Sequence, residues 1–355
     1  MNTLFSKFIP FVSCSLWSVR KTIRILFFIS FITLSPFLNA QEDTGGWDRI
    51  SKIENIISKL PKMSGLVNLR YRYDDLNDAN SFDIRRARLD LRGDISKQLG
   101  YRLHVEFANN PKILDAYVHW KINDYIALQT GQYKIPFSLE NIYNPANLEM
   151  IDNSLVITAL CGYSDVAGIS ANGRDIGIGF NGNLFRREGF NIINYSVGLF
   201  NGSGINTTDA NKSKDFSGIL TINPVKYLSL ATYHYNGSTG AQENTFQRVR
   251  TGFGVKYDDG HWLARGEYIK AKTDDFKSEG AYAVLGCFVY PKIQILVKYD
   301  YFKRDLNNSD TRQQNYTAGI NYLPVKNIRL QLNYTYATSP ERDINSVAIQ
   351  LMSTF

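Results

Sequence analysis

From Ser64 to Phe355 apolar and polar residues alternate with a period of two, in segments of roughly ten residues separated by turn-forming residues. A helix brings every third or fourth residue to one face, so helical packing cannot use this pattern, whereas a sheet with two chemically different faces can. In 64–73, Val67, Leu69, Tyr71 and Tyr73 share one face and Asn68, Arg70 and Arg72 the other. In 81–94, Ala87, Leu89 and Leu91 oppose Arg86, Arg88, Asp90 and Arg92; in 99–108, Tyr101, Leu103, Val105 and Phe107 oppose Arg102, His104 and Glu106. In 246–257, Val249, Thr251, Phe253 and Val255 oppose Arg248, Arg250, Gly252, Gly254 and Lys256. One face is apolar and the other charged.

Sixteen such segments are present: 64–73, 81–94, 99–108, 112–121, 124–134, 172–182, 190–201, 212–222, 226–236, 246–257, 261–271, 279–290, 293–303, 312–322, 326–337 and 344–355. An even number returns both ends of the sheet to one side. Short connections (Ile122-Asn123, Asn223-Pro224-Val225, Asp258-Asp259-Gly260, Pro291, Leu323-Pro324-Val325) alternate with longer polar ones (237–245, 304–311, 338–343). Unequal ends of this kind point to a transmembrane antiparallel β-barrel of about sixteen strands in an outer membrane. A soluble sandwich also alternates, but three features favour the barrel. Trp120, Tyr125, Tyr227, Trp262, Tyr290 and Tyr322 cluster at the short-turn ends, as an interfacial girdle requires. The segments exceed the five or six residues usual in soluble sheets. The chain ends at Phe355 with Val347, Ile349, Leu351 and Phe355 on one face, which resembles the signal read by the outer-membrane assembly machinery.

Composition removes the competing classes. Three cysteines in 355 residues exclude a disulfide scaffold, 13% aromatic content argues against disorder, and no long apolar run follows residue 40 as helical spans would require. Residues 1–40 hold Lys7, Arg20, Lys21 and Arg24 with no acid, then the run Ile25 to Leu34 and a small residue at Ala40, the pattern of an export signal peptide. The apolar stretch before Cys14 is too short for a lipoprotein signal. Removing 1–40 leaves 36 basic against 33 acidic residues and no dense basic block, so no nucleic-acid partner is expected. In the leader 41–63, Ile50, Ile53, Ile56, Ile57 and Leu60 recur at helical spacing and predict a short amphipathic periplasmic helix over 50–60, stopped by Pro61. The barrel occupies 64–355.

Six stretches carry a resemblance: Ile84-Arg85-Arg86-Ala87-Arg88-Leu89-Asp90-Leu91-Arg92-Gly93, Leu114-Asp115-Ala116-Tyr117-Val118, Thr130 to Glu140, Gly173-Arg174-Asp175-Ile176-Gly177, Gly198-Leu199-Phe200-Asn201-Gly202 and Val297-Lys298-Tyr299-Asp300. In this order they resemble the phosphate-selective porin O and P family, over essentially all of 64–355. The resemblance implies a sixteen-stranded, usually homotrimeric outer-membrane channel for small anionic or hydrophilic solutes. It also implies that the long connection 135–171 folds into the lumen as a constriction, to which Asn141, Tyr143, Asn144, Asn147, Asn153 and Tyr163 give a polar, aromatic character.

The charged face, facing a lumen, would select solutes by its lining. Arg70, Arg72, Arg86, Arg88, Arg92, Arg102, Lys134, Arg174, Arg248, Arg250, Arg265, Lys298 and Arg329 are the predicted pore-lining, anion-binding residues, opposed in part by Asp90, Glu106, Asp115, Glu267 and Asp300. Guanidinium forks suit phosphate and carboxylate. The segment 135–171, however, has no Lys or Arg and carries Glu140, Glu149, Asp152 and Asp165, whereas anion-specific relatives are expected to be basic at the constriction. The expectation is therefore a general or weakly anion-preferring pore. A non-conducting structural or adhesive barrel is the alternative, separable by conductance. His104 and Glu106 on one face imitate a base and its orienting acid, but no nucleophile, metal or phosphate-loop motif accompanies them, so neither catalysis nor a cofactor is expected.

Overall fold

The computed structural model describes residues 60–76, 78–168, 171–240 and 245–355. The export signal and most of the predicted 50–60 helix lie outside them. Sixteen strands are present: β1 (Lys62–Asp74), β2 (Ala79–Asp94), β3 (Leu99–Glu106), β4 (Lys112–Lys121), β5 (Ala127–Lys134), β6 (Arg174–Arg187), β7 (Phe190–Phe200), β8 (Asp215–Val225), β9 (Leu228–Thr239), β10 (Phe246–Asp258), β11 (Trp262–Thr273), β12 (Phe276–Tyr290), β13 (Ile293–Lys303), β14 (Arg312–Val325), β15 (Ile328–Thr338) and β16 (Ile344–Thr354). Each pairs antiparallel with its neighbours in sequence, and β1 pairs with β16 to close the barrel. Closure leaves no free sheet edge, which a structure crossing hydrocarbon requires. At the seam, Gly65 N donates to Phe355 O at 2.9 Å and Phe355 N returns a bond to Gly65 O at 3.2 Å.

The alternation sorts the faces as expected. Asn68 is fully buried inside while its neighbour Leu69 is 45% exposed outside, and the six short-turn aromatics are all exposed. Two boundary expectations are corrected. Asn223-Pro224-Val225 and Leu323-Pro324-Val325 are strand ends, and the turns fall at 226–227 and 326–327. Each proline sits where the register shifts, between Ile222 and Val225 or between Tyr322 and Val325, a place that does not need its missing N–H. β11 and β12 also continue beyond the predicted ends at 271 and 279 to meet at Asp274 and Asp275.

Two bulges matter for the lumen. On β2, Asn68 pairs with Arg86 and Leu69 with Ile84, so Arg85 is the extra residue. On β4, His104 pairs with Asp115 and Val105 with Ile113, so Leu114 is extra. A bulge inserts one residue and resets which parity faces inward. Near the β4–β5 ladder Gly131 has φ +123°, and a Cβ there would lie 2.3 Å from Ala116 O, so only glycine fits.

The connection after β5 folds into the barrel and carries two short helices, α1 (Leu139–Ile142) and α2 (Leu155–Leu160). Phe137, Leu139, Met150, Val156, Ile157 and Leu160 pack with Ile219, Tyr233, Leu263, Ile269, Val284 and Phe302 from the facing wall. The inner face of β8 to β13 is thus partly apolar, because the loop rather than water covers it.

Candidate functional site: the charged lumen and its loop

The loop is seated by one buried carboxylate. Glu267 on β11 accepts from Leu139 N (2.7 Å), Glu140 N (2.8 Å) and Ser138 Oγ (3.1 Å) at the start of α1, and from the phenols of Tyr233 (2.6 Å) and Tyr282 (2.7 Å). Five donors compensate the burial of that charge, and the acid end also complements the α1 N-terminus. Ser138 is held there at φ +69°, a region few non-glycine residues occupy.

Side-chain amides hold the next stretch. Asn321 and Gln331 donate to Glu149 O at 2.9 and 2.8 Å, and Asn333 Oδ1 accepts from Ile151 N at 2.8 Å. The loop's four carboxylates then meet wall groups. Glu149 pairs with Arg265 at 3.0 Å, and Glu140, 3.6 Å from Arg265, accepts from Ser154 N at 2.7 Å. Asp165 takes a two-pronged bond from Arg250 at 2.7 and 2.8 Å. Asp152 reaches the opposite wall, where it pairs with Arg72, with Arg85 at 3.0 Å and with Arg70 at 3.5 Å. Burial alone would raise the Asp152 pKa, but Arg85, Arg72 and Arg70 outweigh it and hold the carboxyl below its usual range.

The thirteen predicted residues divide into two groups. Along β1 to β3 and the loop base, Arg70 pairs with Asp83 (2.6 Å), Arg88 with Glu106 (2.6 Å), Arg92 and Arg102 with Asp90 (2.7 and 2.8 Å), and Arg102 and Arg174 with Asp115 (3.1 and 2.8 Å). Lys134 donates only to backbone, Asn141 O at 2.5 Å and Tyr143 O at 2.6 Å. Arg86 has no ion-pair partner among the described residues. On the far wall Arg248 pairs with Asp215 (2.8 Å) and Lys298 with Asp300 (3.0 Å), beside the Arg250 and Arg265 pairs with the loop. Arg329 donates to Leu148 O at 2.9 Å.

The two walls therefore differ. The first gathers Arg70, Arg72, Arg85, Arg86, Arg88, Arg92, Arg102, Lys134 and Arg174 against Asp83, Asp90, Glu106, Asp115 and Asp152, a surplus of positive charge. On the far wall Arg248, Arg250, Arg265 and Lys298 are each matched by a carboxylate of the wall or loop, and Arg329 is held by a loop carbonyl. Arg85 and Asp83 escaped the sequence reading because strict alternation from Arg86 places odd positions outside; the bulge brings them in. The paired motif Ile84-Arg85-Arg86, two arginines in succession on a strand, was the available signal.

The imitation of a catalytic pair is absent. His104 Nδ1 lies 2.9 Å from Asp115, and Glu106 is engaged by Arg88. Cys161 and Cys287 are both free, and burial pushes the Cys161 thiol well up in pKa.

The sequence matches the profile of the phosphate-selective porin O and P family over residues 65–290 and 260–353. The chain belongs to this family. It is accordingly an outer-membrane porin of the Gram-negative type, crossing the membrane many times as a closed antiparallel barrel, and the resemblance read from the six stretches is borne out. No curated protein matches the sequence significantly. Solved structures share the fold at low identity. The anion-selective porin from Comamonas acidovorans is 15% identical with a TM-score of 0.65, over 83% of this porin and 99% of that chain. OmpT of Vibrio cholerae is 11% identical with a TM-score of 0.61, over 83% and 97%. OprB of Pseudomonas putida is 9% identical with a TM-score of 0.61, over 90% and 100%.

Proposed function

We propose that this porin passes small hydrophilic solutes with a preference for anions such as phosphate, and that the wall of β1 to β3 sets the preference. The carrying observation is the fate of the loop's acids. Free in the lumen, Glu140, Glu149, Asp152 and Asp165 would make the constriction cation-preferring; each instead faces a wall arginine or a loop N–H. Among the described residues Arg86 and Lys134 on this wall have no carboxylate partner, and a positive lining lowers the energy of an anion passing it. The anion selectivity of the Comamonas porin, on the same fold, supports this reading.

Residues 1–40 act in this reading as the export signal, the stretch from 41 to the start of β1 as a periplasmic leader, and the Phe355 terminus as the assembly signal. Three copies assemble, a reading supported by the trimer form of the Vibrio OmpT. The protein acts in this reading as a channel rather than an enzyme: Asp115, the carboxylate beside the buried His104, pairs with Arg102 and Arg174.

Liposome swelling tests the proposal. Vesicles carrying the refolded porin should admit anionic solutes faster than cationic solutes of equal size. Faster entry of the cations, or no swelling with any solute, would overturn it.

A further inference from the structure

The outer face of the barrel is not uniform. Along β11 the inward residues Leu263, Arg265, Glu267, Ile269 and Ala271 are buried, so Lys270 and Lys272 point outward. Register carries this face across the neighbouring strands. Lys270 stands opposite Glu279 of β12, Glu279 opposite Lys303 of β13, and Lys303 opposite Arg312 of β14, while Lys272 stands directly opposite Lys277. Five cations and one acid thus occupy the outward strand positions of a single sector.

None of the five forms an ion pair among the described residues. Lys303 Nζ bonds Leu306 O at 3.0 Å, Lys270 lies 5.7 Å over the Tyr268 ring, and the one acid, Glu279, accepts from Tyr268 OH at 2.8 Å. Like charges placed directly opposite, as at Lys272 and Lys277, destabilise a ladder unless something else neutralises them. Corresponding outward positions elsewhere on this rim are uncharged, as at Tyr71, Ile84, Leu199, Phe216, Asn236 and Gln247.

Depth identifies what meets this sector. At about 3.3 Å per residue and a tilt of roughly 40°, the ten residues from the girdle residue Trp262 to Lys272 climb about 25 Å, the height of a barrel's apolar band. Lys277, Lys303 and Arg312 lie at least as many residues from Tyr290, Ile293 and Tyr322 on their own strands, so with Lys272 they stand at the upper interface, above the outward rings of Tyr268, Tyr299 and Tyr316 on the end that bears the long loops, and Lys270 lies just beneath them. There they stand at the headgroup level of the outer leaflet, with Asp310 and Asp343 of the adjoining loops lining the same cavity as Lys303 and Arg312. Basic side chains at that level attract anionic headgroups, and aromatic rings beneath them pack on the sugar and acyl boundary.

We propose that the β11–β14 rim is a docking surface for a phosphorylated lipid headgroup of the outer leaflet. The phosphates fall between Lys272, Lys277, Lys303 and Arg312, and binding relieves the repulsion built into the Lys272–Lys277 pair. The site lies outside the lumen and is independent of what the channel carries.

The test uses the full-length refolded porin in detergent micelles doped with lipid A, a diphosphorylated glycolipid, or with phosphatidylcholine. Bound lipid is measured by native mass spectrometry. Lipid A should bind in preference to phosphatidylcholine, and combined Lys270→Gln, Lys272→Gln, Lys277→Gln, Lys303→Gln and Arg312→Gln should weaken it by at least about tenfold. Neutralising Lys97, Lys121, Lys226, Lys292 and Lys326 at the short-turn end, an equal change in net charge, should leave lipid A binding within about twofold. Unchanged channel conductance certifies folding of both variants, and the smaller Lys272→Gln, Lys277→Gln pair gives the same reading should the larger set fail to fold. Wild-type binding by the rim variants, equal loss in the short-turn variant, or no preference over phosphatidylcholine would each overturn the proposal.

Discussion

The Asp152 carboxylate lies 3.0 Å from the Arg85 guanidinium, so a loop that leaves the wall at β5 is fastened at its far reach to the bulge of β2. Arg72 and Arg70 share the same carboxylate. One acid thereby ties the loop across the passage and offsets part of the charge of three arginines. It is 42% exposed, so solutes reach the cluster it occupies.

Replacing Asp152 by Asn should make the pore more anion-preferring, since three arginines lose their resident counter-charge. Zero-current potentials of wild type and Asp152→Asn in the same KCl gradient measure this. A shift toward cation preference would show that Asp152 is not the offsetting charge.

Arg86→Glu should act in the opposite direction and more strongly, because among the described residues no carboxylate forms an ion pair with Arg86, while Glu106 is engaged by Arg88. A charge change felt across partly aqueous space is worth about 1 kcal/mol, roughly a fivefold change in the anion-to-cation permeability ratio. Arg248→Gln changes the charge by one unit rather than two, at a pair with Asp215 that is buried away from the passage, and should change the ratio much less. Equal effects would contradict the division of the lumen into a surplus wall and a balanced one.

Glu267→Ala should release α1. It leaves two backbone N–H groups and three hydroxyls without their acceptor, and each buried donor left unsatisfied costs about 1–3 kcal/mol. The barrel should still close, because its ladder does not involve this side chain, while single-channel records become noisy and protease cuts within 135–171. A quiet, protease-resistant variant would mean that the apolar packing alone holds the loop.

The Asp152 tie also fixes a pH window. A carboxyl whose folded pKa is depressed contributes stability that is present above its unfolded value and lost as pH falls through the lower folded value. The selectivity difference between wild type and Asp152→Asn should therefore be constant from neutral pH down through the usual carboxylate range and vanish only below it. A titration in which the difference fades near pH 5 would contradict the ion-pair geometry.

Strand number, closure and facing were legible in the sequence because alternation is a property of each segment by itself. Arg70, Arg72, Arg88 and Arg102 could be assigned to the lumen for that reason. Arg85 could not, since a bulge is decided by the partner strand and leaves no period of its own. The loop's acids read as free negative charge, because their partners Arg72, Arg250 and Arg265 are distant in sequence. The inward apolar residues of β8 to β13 broke the polar-inside rule without showing what covered them. Lys272 and Lys277 fall between the predicted segments 261–271 and 279–290, although their strands continue through them.

The measurement that bears most directly on the account is the zero-current potential of the wild-type channel in a planar bilayer under a KCl gradient. The loop's neutralised acids and the surplus on β1 to β3 predict a potential displaced toward the chloride equilibrium value. Displacement toward the potassium value would contradict it, because the acids of residues 135–171 would then govern the passage in spite of their arginine partners.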